Sequence, residues 1–310
     1  MFGRLQFDEL SQHLAAVRDG STAAVHDARV AIRRLREELS LVASRVGEDE
    51  LSNVQQRLKR AARALSRLRD ADVGQQLLES VTASISLPPA LVGRLQEMLL
   101  REREVAWRKA IKTLENLKLH ELPDRPLRAW PGSHRWKARR RAAFRRHLIS
   151  RANKLQTAMS RAGGVYFPNR LHKVRLATKR LRYALELADR VDAPRPREVL
   201  GALKQAQEVL GEAHDREVFL SRLIEPRGHT SDDLANDLVR LEDVVRTDIR
   251  ELHRQYLSLR PGLSAICETC STPVRRGGRR TLVAAAIAVP SLVLLRMGTR
   301  HPAFSRAPQP

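Results

Sequence analysis

Residues 25–42 read VHDARVAIRRLREELSLV, and residues 171–188 read LHKVRLATKRLRYALELA. Set 146 positions apart, the two runs share His26/His172, Arg29/Arg175, Ala31/Ala177, Arg34/Arg180, Leu35/Leu181, Arg36/Arg182, Leu39/Leu185 and Leu41/Leu187, with Arg33 opposite Lys179. A second match follows at almost the same interval, between LKRAARALSRLRDADV (58–73) and LKQAQEVLGEAHDREV (203–218), aligning Lys59/Lys204, Leu65/Leu210 and Asp70/Asp215. Self-similarity at a long fixed interval fixes the architecture before any single element does. It predicts an internal duplication: repeat 1 at about 1–120, a basic linker at about 120–134, repeat 2 at about 135–270, and an unrelated tail at 271–310.

Outward from these runs, almost every window repeats its apolar residues with helical period, and alternating strand-like runs are scarce. The expected fold is all-α, two pseudo-symmetric helical bundles. Helices are expected over 4–18, 23–46, 49–80, 89–119, 134–162, 168–190, 196–224 and 231–259, broken at Gly47, Pro88-Pro89, Gly163-Gly164, Pro194 to Pro196 and Pro226 to Gly228.

On a helical wheel the repeated run separates into two bands. Val25, Ala28, Ile32, Leu35 and Leu39 form an apolar stripe, while His26, Arg29, Arg33 and Arg36 fall within about 80° of one another beside it. The second copy places His172, Arg175, Lys179 and Arg182 in the same relation, with Arg34 and Arg180 on a different edge. A solvated face needs no such register, and like charges at i,i+3 and i,i+4 repel by a few tenths of a kcal/mol. Something acidic is therefore expected against the strip: an anionic ligand, or carboxylates of a partner helix. On the following helix Lys59, Arg63, Ser66 and Asp70 share about 60° of arc. Lys59 and Lys204 are read as facing the ligand, and Asp70 and Asp215 as holding basic groups in place.

Composition points the same way. The 310 residues carry 57 Lys plus Arg against 35 Asp plus Glu, a net charge of +22, and only nine of the 57 are lysine. Guanidinium suits bidentate contact with phosphate oxygens, although a GC-rich coding sequence would give the same bias. Aromatics at 4% are too few for a base-stacking platform. Two cysteines exclude a disulfide-stapled scaffold. The opening MFGRLQFDELSQHL shows no apolar secretory core, so a cytoplasmic chain is expected.

The two runs VHDARVAIRRLREEL and LHKVRLATKRLRYALEL, each followed by an LK-containing helix ending RLRDADV or EAHDREV, resemble the halves of a CHAD domain, the conserved histidine α-helical domain, over about residues 5–260. The resemblance implies paired four-helix bundles that bind inorganic polyphosphate without catalysis and without a metal or cofactor. It makes His26, Arg29, Arg33, Arg34, Arg36 and Lys59, with Arg63 beside them, and His172, Arg175, Lys179, Arg180, Arg182 and Lys204 the expected phosphate contacts, with association to polyphosphate granules an implied location. Ser66 stands where that family usually has the glycine found here at Gly211, and His214 where a small polar residue is usual.

Two other readings compete. A nonspecific nucleic-acid binder needs little beyond the charge, but no helix-turn-helix, zinc-finger or RNA-recognition signature occurs. An enzyme, or an accessory protein of a phosphate-metabolising one, is the other; an E-x-E-x-K motif, a phosphate loop, H-E-x-x-H and G-x-S-x-G are all absent. Cys267 and Cys270 form a lone C-x-x-C, expected to be two cysteines packed near a helix end. The uncharged run TLVAAAIAVPSLVLL (281–295) is flanked by arginines and interrupted by Pro290. At about 22 Å as a helix it falls short of a bilayer core of about 30 Å, so it reads as a short membrane anchor or as a docking segment. The tail holds seven arginines and no carboxylate, which leaves a net +15 on residues 1–270.

Overall fold

The computed structural model describes residues 2–42, 48–122, 135–188, 193, 196–224 and 232–271, all of it helix and connecting turn. The helices are α1 (Phe2–Arg18), α2 (Thr22–Val42), α3 (Glu48–Thr82), α4 (Pro89–Leu117), α5 (Arg135–Ala162), α6 (Pro168–Glu186), α7 (Arg197–Ile224) and α8 (Asp232–Ser271), with one 3₁₀ turn at Leu119–Glu121. Residues 123–134 of the expected linker and the apolar run 281–295 lie outside the described residues. Among the described residues no helix is long and apolar enough to cross a membrane.

Local chemistry sets the ends. Gly20, at φ 85°, turns the chain between α1 and α2, and the Ser21 hydroxyl accepts the Ala24 N–H at 3.2 Å, capping α2. Pro89 and Pro168 occupy first turns, where a missing N–H costs nothing. Gly163, at φ 66°, ends α5 in the left-handed conformation that glycine adopts without strain.

Over the described residues the helix pattern matches expectation to within a few residues except at its last member; the expected helix ends and breaks within 43–47, 189–192, 194–195 and 225–231 lie outside them. The expected helix 231–259 continues to Ser271 through Pro261. A proline removes one ladder hydrogen bond and usually ends a helix. Here the continuation buries Leu263, Ile266 and Cys267 in the core of the second bundle, which offsets the loss.

Helices α1–α4 enclose one core, with Leu10, Ile32, Leu35, Leu58 and Leu65 fully buried, and α5–α8 enclose another around Leu155, Leu181, Leu203 and Tyr256. A third core was not foreseen. It joins Leu78 and Val81 of α3 and Leu91, Leu95 and Leu99 of α4 to Phe219 and Leu223 of α7 and Leu241, Val245 and Ile249 of α8. Its cause is length. α3 has 35 residues and α8 has 40, whereas α2 has 21 and α6 has 19. At about 1.5 Å per residue the long helices overhang their short partners by roughly 20–30 Å, and the overhanging apolar faces bury each other. This clasp fixes the bundles so that α2 and α6 pack side by side, as α3 and α7 do.

A basic cavity where the two repeated helices meet

The apolar stripes turn inward as expected: Val25, Ala28, Ile32, Leu35 and Leu39 of α2 and Leu171, Val174, Leu181 and Leu185 of α6 are all buried. The basic strips beside them are thereby aimed at each other across the α2/α6 contact. Arg33 donates from Nη1 to the hydroxyl of Tyr183 at 3.4 Å, and Arg34 reaches Glu186 at 3.8 Å. Two strips read separately from the sequence thus face one another across this contact.

At its centre is a cavity of about 330 Å³, lined by Arg33, Arg36, Arg151, Arg175, Lys179 and Arg180 together with Glu37, Ser40, Gln55, Leu176 and Tyr183. Six basic side chains meet one carboxylate, and Glu37 is already engaged: Arg151 donates to both its oxygens at 2.9–3.1 Å, and His147 lies 2.9 Å from Oε2. Arg29 packs behind them, close enough that Arg33, Arg175 and Asp70 all act on its charge.

The electrostatic strain appears in the proton affinities. Burial, then the charges of Arg175, Arg33 and Arg29, push the Lys179 ammonium down to about 6, against only a small opposing pull from Asp215. Burial and Arg33 press the Arg29 guanidinium down to about 10, so it remains charged at neutral pH. The Nε of Arg29 and the Nε of Arg175 are both buried and meet no acceptor among the described residues. These two are matching members of the repeated run, and buried charged donors are ordinarily paired.

Asp215 stands 3.9 Å from Arg175, and Asp70 draws on both Arg29 and Arg175, so the two aspartates do flank the strip. His172 packs against His214, with Nδ1 atoms 3.3 Å apart and ring centroids 4.5 Å apart. Burial and the His214 charge lower His172 to about 4, and burial with Arg69 lowers His26 as well. Each of these two histidines sits among basic side chains, and His172 is neutral at neutral pH in the free protein.

Other expected contacts lie apart from the cavity lining. Arg182 donates to Gln207 at 2.9 Å and to Glu186 at 2.7 Å, with its guanidinium 4.5 Å over the Tyr183 ring, so its charge is matched within the protein. Lys59 and Arg63 are exposed on α3, and Lys204 is exposed on α7, 3.7 Å from Glu208. Ser66 in place of glycine has no evident cost: a Cβ at the matching Gly211 would touch nothing within 4 Å.

Arg151, Glu37 and Tyr183 were missed from the sequence. Glu37 carried a signal, since it is a carboxylate standing inside a basic strip. Cys267 and Cys270 sit one turn apart on α8, and burial raises their thiols to about 12 and about 11, in keeping with packed rather than reactive cysteines. Among the described residues no three His, Cys, Asp or Glu side chains gather as a metal site requires.

No curated protein matches the chain in sequence. Among solved structures it resembles a CHAD domain from the plant Ricinus communis, with TM-score 0.59 and 22% identity over 84% of this chain and 88% of that one. It also resembles PptA from Streptomyces chartreusis, with TM-score 0.63 and 15% identity over 84% of this chain and 96% of that one. The sequence profile of the CHAD domain matches residues 3–224, which takes in both repeated runs and every cavity-lining residue, and the chain belongs to the CHAD domain family.

Proposed function

We propose that the α2/α6 cavity binds inorganic polyphosphate, and that the chain is a binding protein to which no reaction is assigned. The CHAD domain is in general a polyphosphate-binding domain. The observation that carries the reading for this chain is a cavity around which six basic side chains meet one already paired carboxylate, with Arg175 in its lining and Arg29 behind it each carrying a buried Nε unmatched among the described residues. A buried donor without an acceptor costs about 1–3 kcal/mol, more for a charged group. A chain of phosphates supplies acceptors and negative charge together, in bidentate geometry for guanidinium.

The cavity favours polyphosphate over nucleic acid. Its lining offers one aromatic ring and one aliphatic side chain, and a space of about 330 Å³ admits a bare phosphate chain but not a duplex carrying sugars and bases. Binding of this kind would bring the chain to polyphosphate granules, as a scaffold or as a regulator of phosphate-metabolising enzymes.

Calorimetric or filter-binding titration tests this. Arg29→Ala combined with Arg175→Ala is expected to weaken polyphosphate binding by about tenfold or more, since truncating buried charge contacts costs about 2 kcal/mol or more. Duplex DNA at matched phosphate concentration is expected to compete poorly. Unchanged titrations in the double variant would remove the cavity from the function.

A further inference from the structure

We propose that the groove between α5 and α6 is an extended subsite that carries a long polyphosphate chain out of the central cavity; the inference rests on the polyphosphate reading. The groove has a volume of about 1020 Å³, larger than the cavity itself. Arg146, Lys154, Arg161, Arg170, Lys173 and Arg180 line it, and no carboxylate does. All six are exposed, and among the described residues none forms an ion pair. Arg170 is held in place, donating to the Arg161 carbonyl at 3.3 Å with its guanidinium 4.4 Å over the Phe167 ring.

The groove is continuous with the cavity, because Arg180 and Leu176 line both. α5 and α6 are joined by a short loop and pack against each other as an antiparallel pair. Their cations therefore stagger along it, from Arg161 and Arg170 near the loop through Lys173 and Lys154 to Arg180 and Arg146 at the cavity end. From 146 to 161 the α5 side runs about 22 Å. A duplex would touch such a track on one side only. A thin, flexible polyanion leaving the cavity can follow it throughout, releasing counterions as it goes.

Among the described residues the first helix pair does not repeat the charges of the groove. In α1 the buried residues Phe7, Leu10 and Val17 occupy the places that Ala152, Leu155 and Ala162 occupy in α5. In that register Glu9 stands where Lys154 stands, and Asp27 of α2 matches Lys173 of α6. The central cations of the second helix pair are carboxylates in the first. A chain held at the cavity thus meets cations along α5/α6 where the corresponding places of α1/α2 carry carboxylates, which favours the α5/α6 direction and gives the site a preference for length.

The test compares tripolyphosphate with long-chain polyphosphate on the full chain carrying Lys154→Glu and Lys173→Glu, with Lys154→Gln and Lys173→Gln as the milder pair. Long-chain affinity is expected to fall by about tenfold, with the slope of log affinity against log salt reduced by about 2, while tripolyphosphate binding stays within about twofold. Long-chain binding and salt slope equal to wild type would overturn the groove. So would equal losses for both ligands, or a loss confined to duplex DNA. Wild-type protein that binds neither polyphosphate would instead overturn the cavity reading on which this one rests.

Discussion

Arg151 of α5 grips Glu37 of α2 with two nitrogens, Nη2 standing 3.1 Å from Oε1 and 2.9 Å from Oε2 and Nε 3.2 Å from Oε2. The contact ties the second bundle to the helix that carries the first basic strip, and both side chains are about nine-tenths buried, at 14% and 10% exposed. Breaking a buried pair by removing one charge is costly because the other is left behind. Glu37→Gln is therefore expected to destabilise the protein by about 3 kcal/mol in urea denaturation. Burial alone would raise the Glu37 carboxyl, but the His147 hydrogen bond and the Arg151 charge overcome it and hold the group below its ordinary 4.5. A depressed carboxylate contributes stability above its unfolded value and loses that contribution as pH falls through the folded one. The wild-type advantage over Glu37→Gln should thus be full at neutral pH and shrink as pH falls below 4.5. Polyphosphate affinity of the variant should hold or rise, because the cavity loses its one negative charge.

Lys179 gives the cavity a proton signature. In the free protein its neighbours are Arg175, Arg33 and Arg29 against Asp215, and together with burial they hold it down to about 6. A polyanion seated among these groups favours the ammonium and raises that value. Polyphosphate binding near neutral pH is therefore expected to take up close to one proton, and affinity to weaken as pH rises through neutrality. Calorimetry in buffers of different ionisation enthalpy measures the uptake directly. Lys179→Met should abolish most of it; the same uptake in the variant would assign the proton to another group.

The sequence revealed the apolar stripes of α2 and α6 because burial enforces helical period, and those stripes are buried as read. It did not reveal that the two basic strips share one cavity, since periodicity fixes which face of a helix is buried and not which helix covers it. The third core was hidden for the same reason: only the overhang of α3 and α8 brings Leu95 and Phe219 together. Arg151 was lost in a helix so rich in arginine that no residue stood out. Arg182 and Lys204 were legible as already matched, each having a glutamate four residues on at Glu186 and Glu208. The last helix runs past its expected end at 259 because Leu263, Ile266 and Cys267 beyond Pro261 are buried in the core of the second bundle.

Gly74 marks where α3 meets Arg222 of α7, and it separates helix propensity from packing. A Cβ there would stand 2.6 Å from Nη1 of Arg222 and 3.2 Å from Leu99. That guanidinium donates to the Asp70 carbonyl at 2.8 Å and pairs with Glu102 at 2.9 Å, joining α7 to both α3 and α4. Glycine to alanine inside a helix ordinarily gains about 1 kcal/mol. Displacing Arg222 forfeits charged hydrogen bonds worth about 1.5–3 kcal/mol, so Gly74→Ala is expected to destabilise by about 1 kcal/mol net. Gly93, exposed on α4 with nothing within 4 Å of a built Cβ, is the control. Gly93→Ala should stabilise by about 0.5–1 kcal/mol. Opposite signs for one chemical change, read from two denaturation curves, locate the cost at the Arg222 contact; stabilisation by both would show that Arg222 swings aside freely and that the clasp does not depend on it.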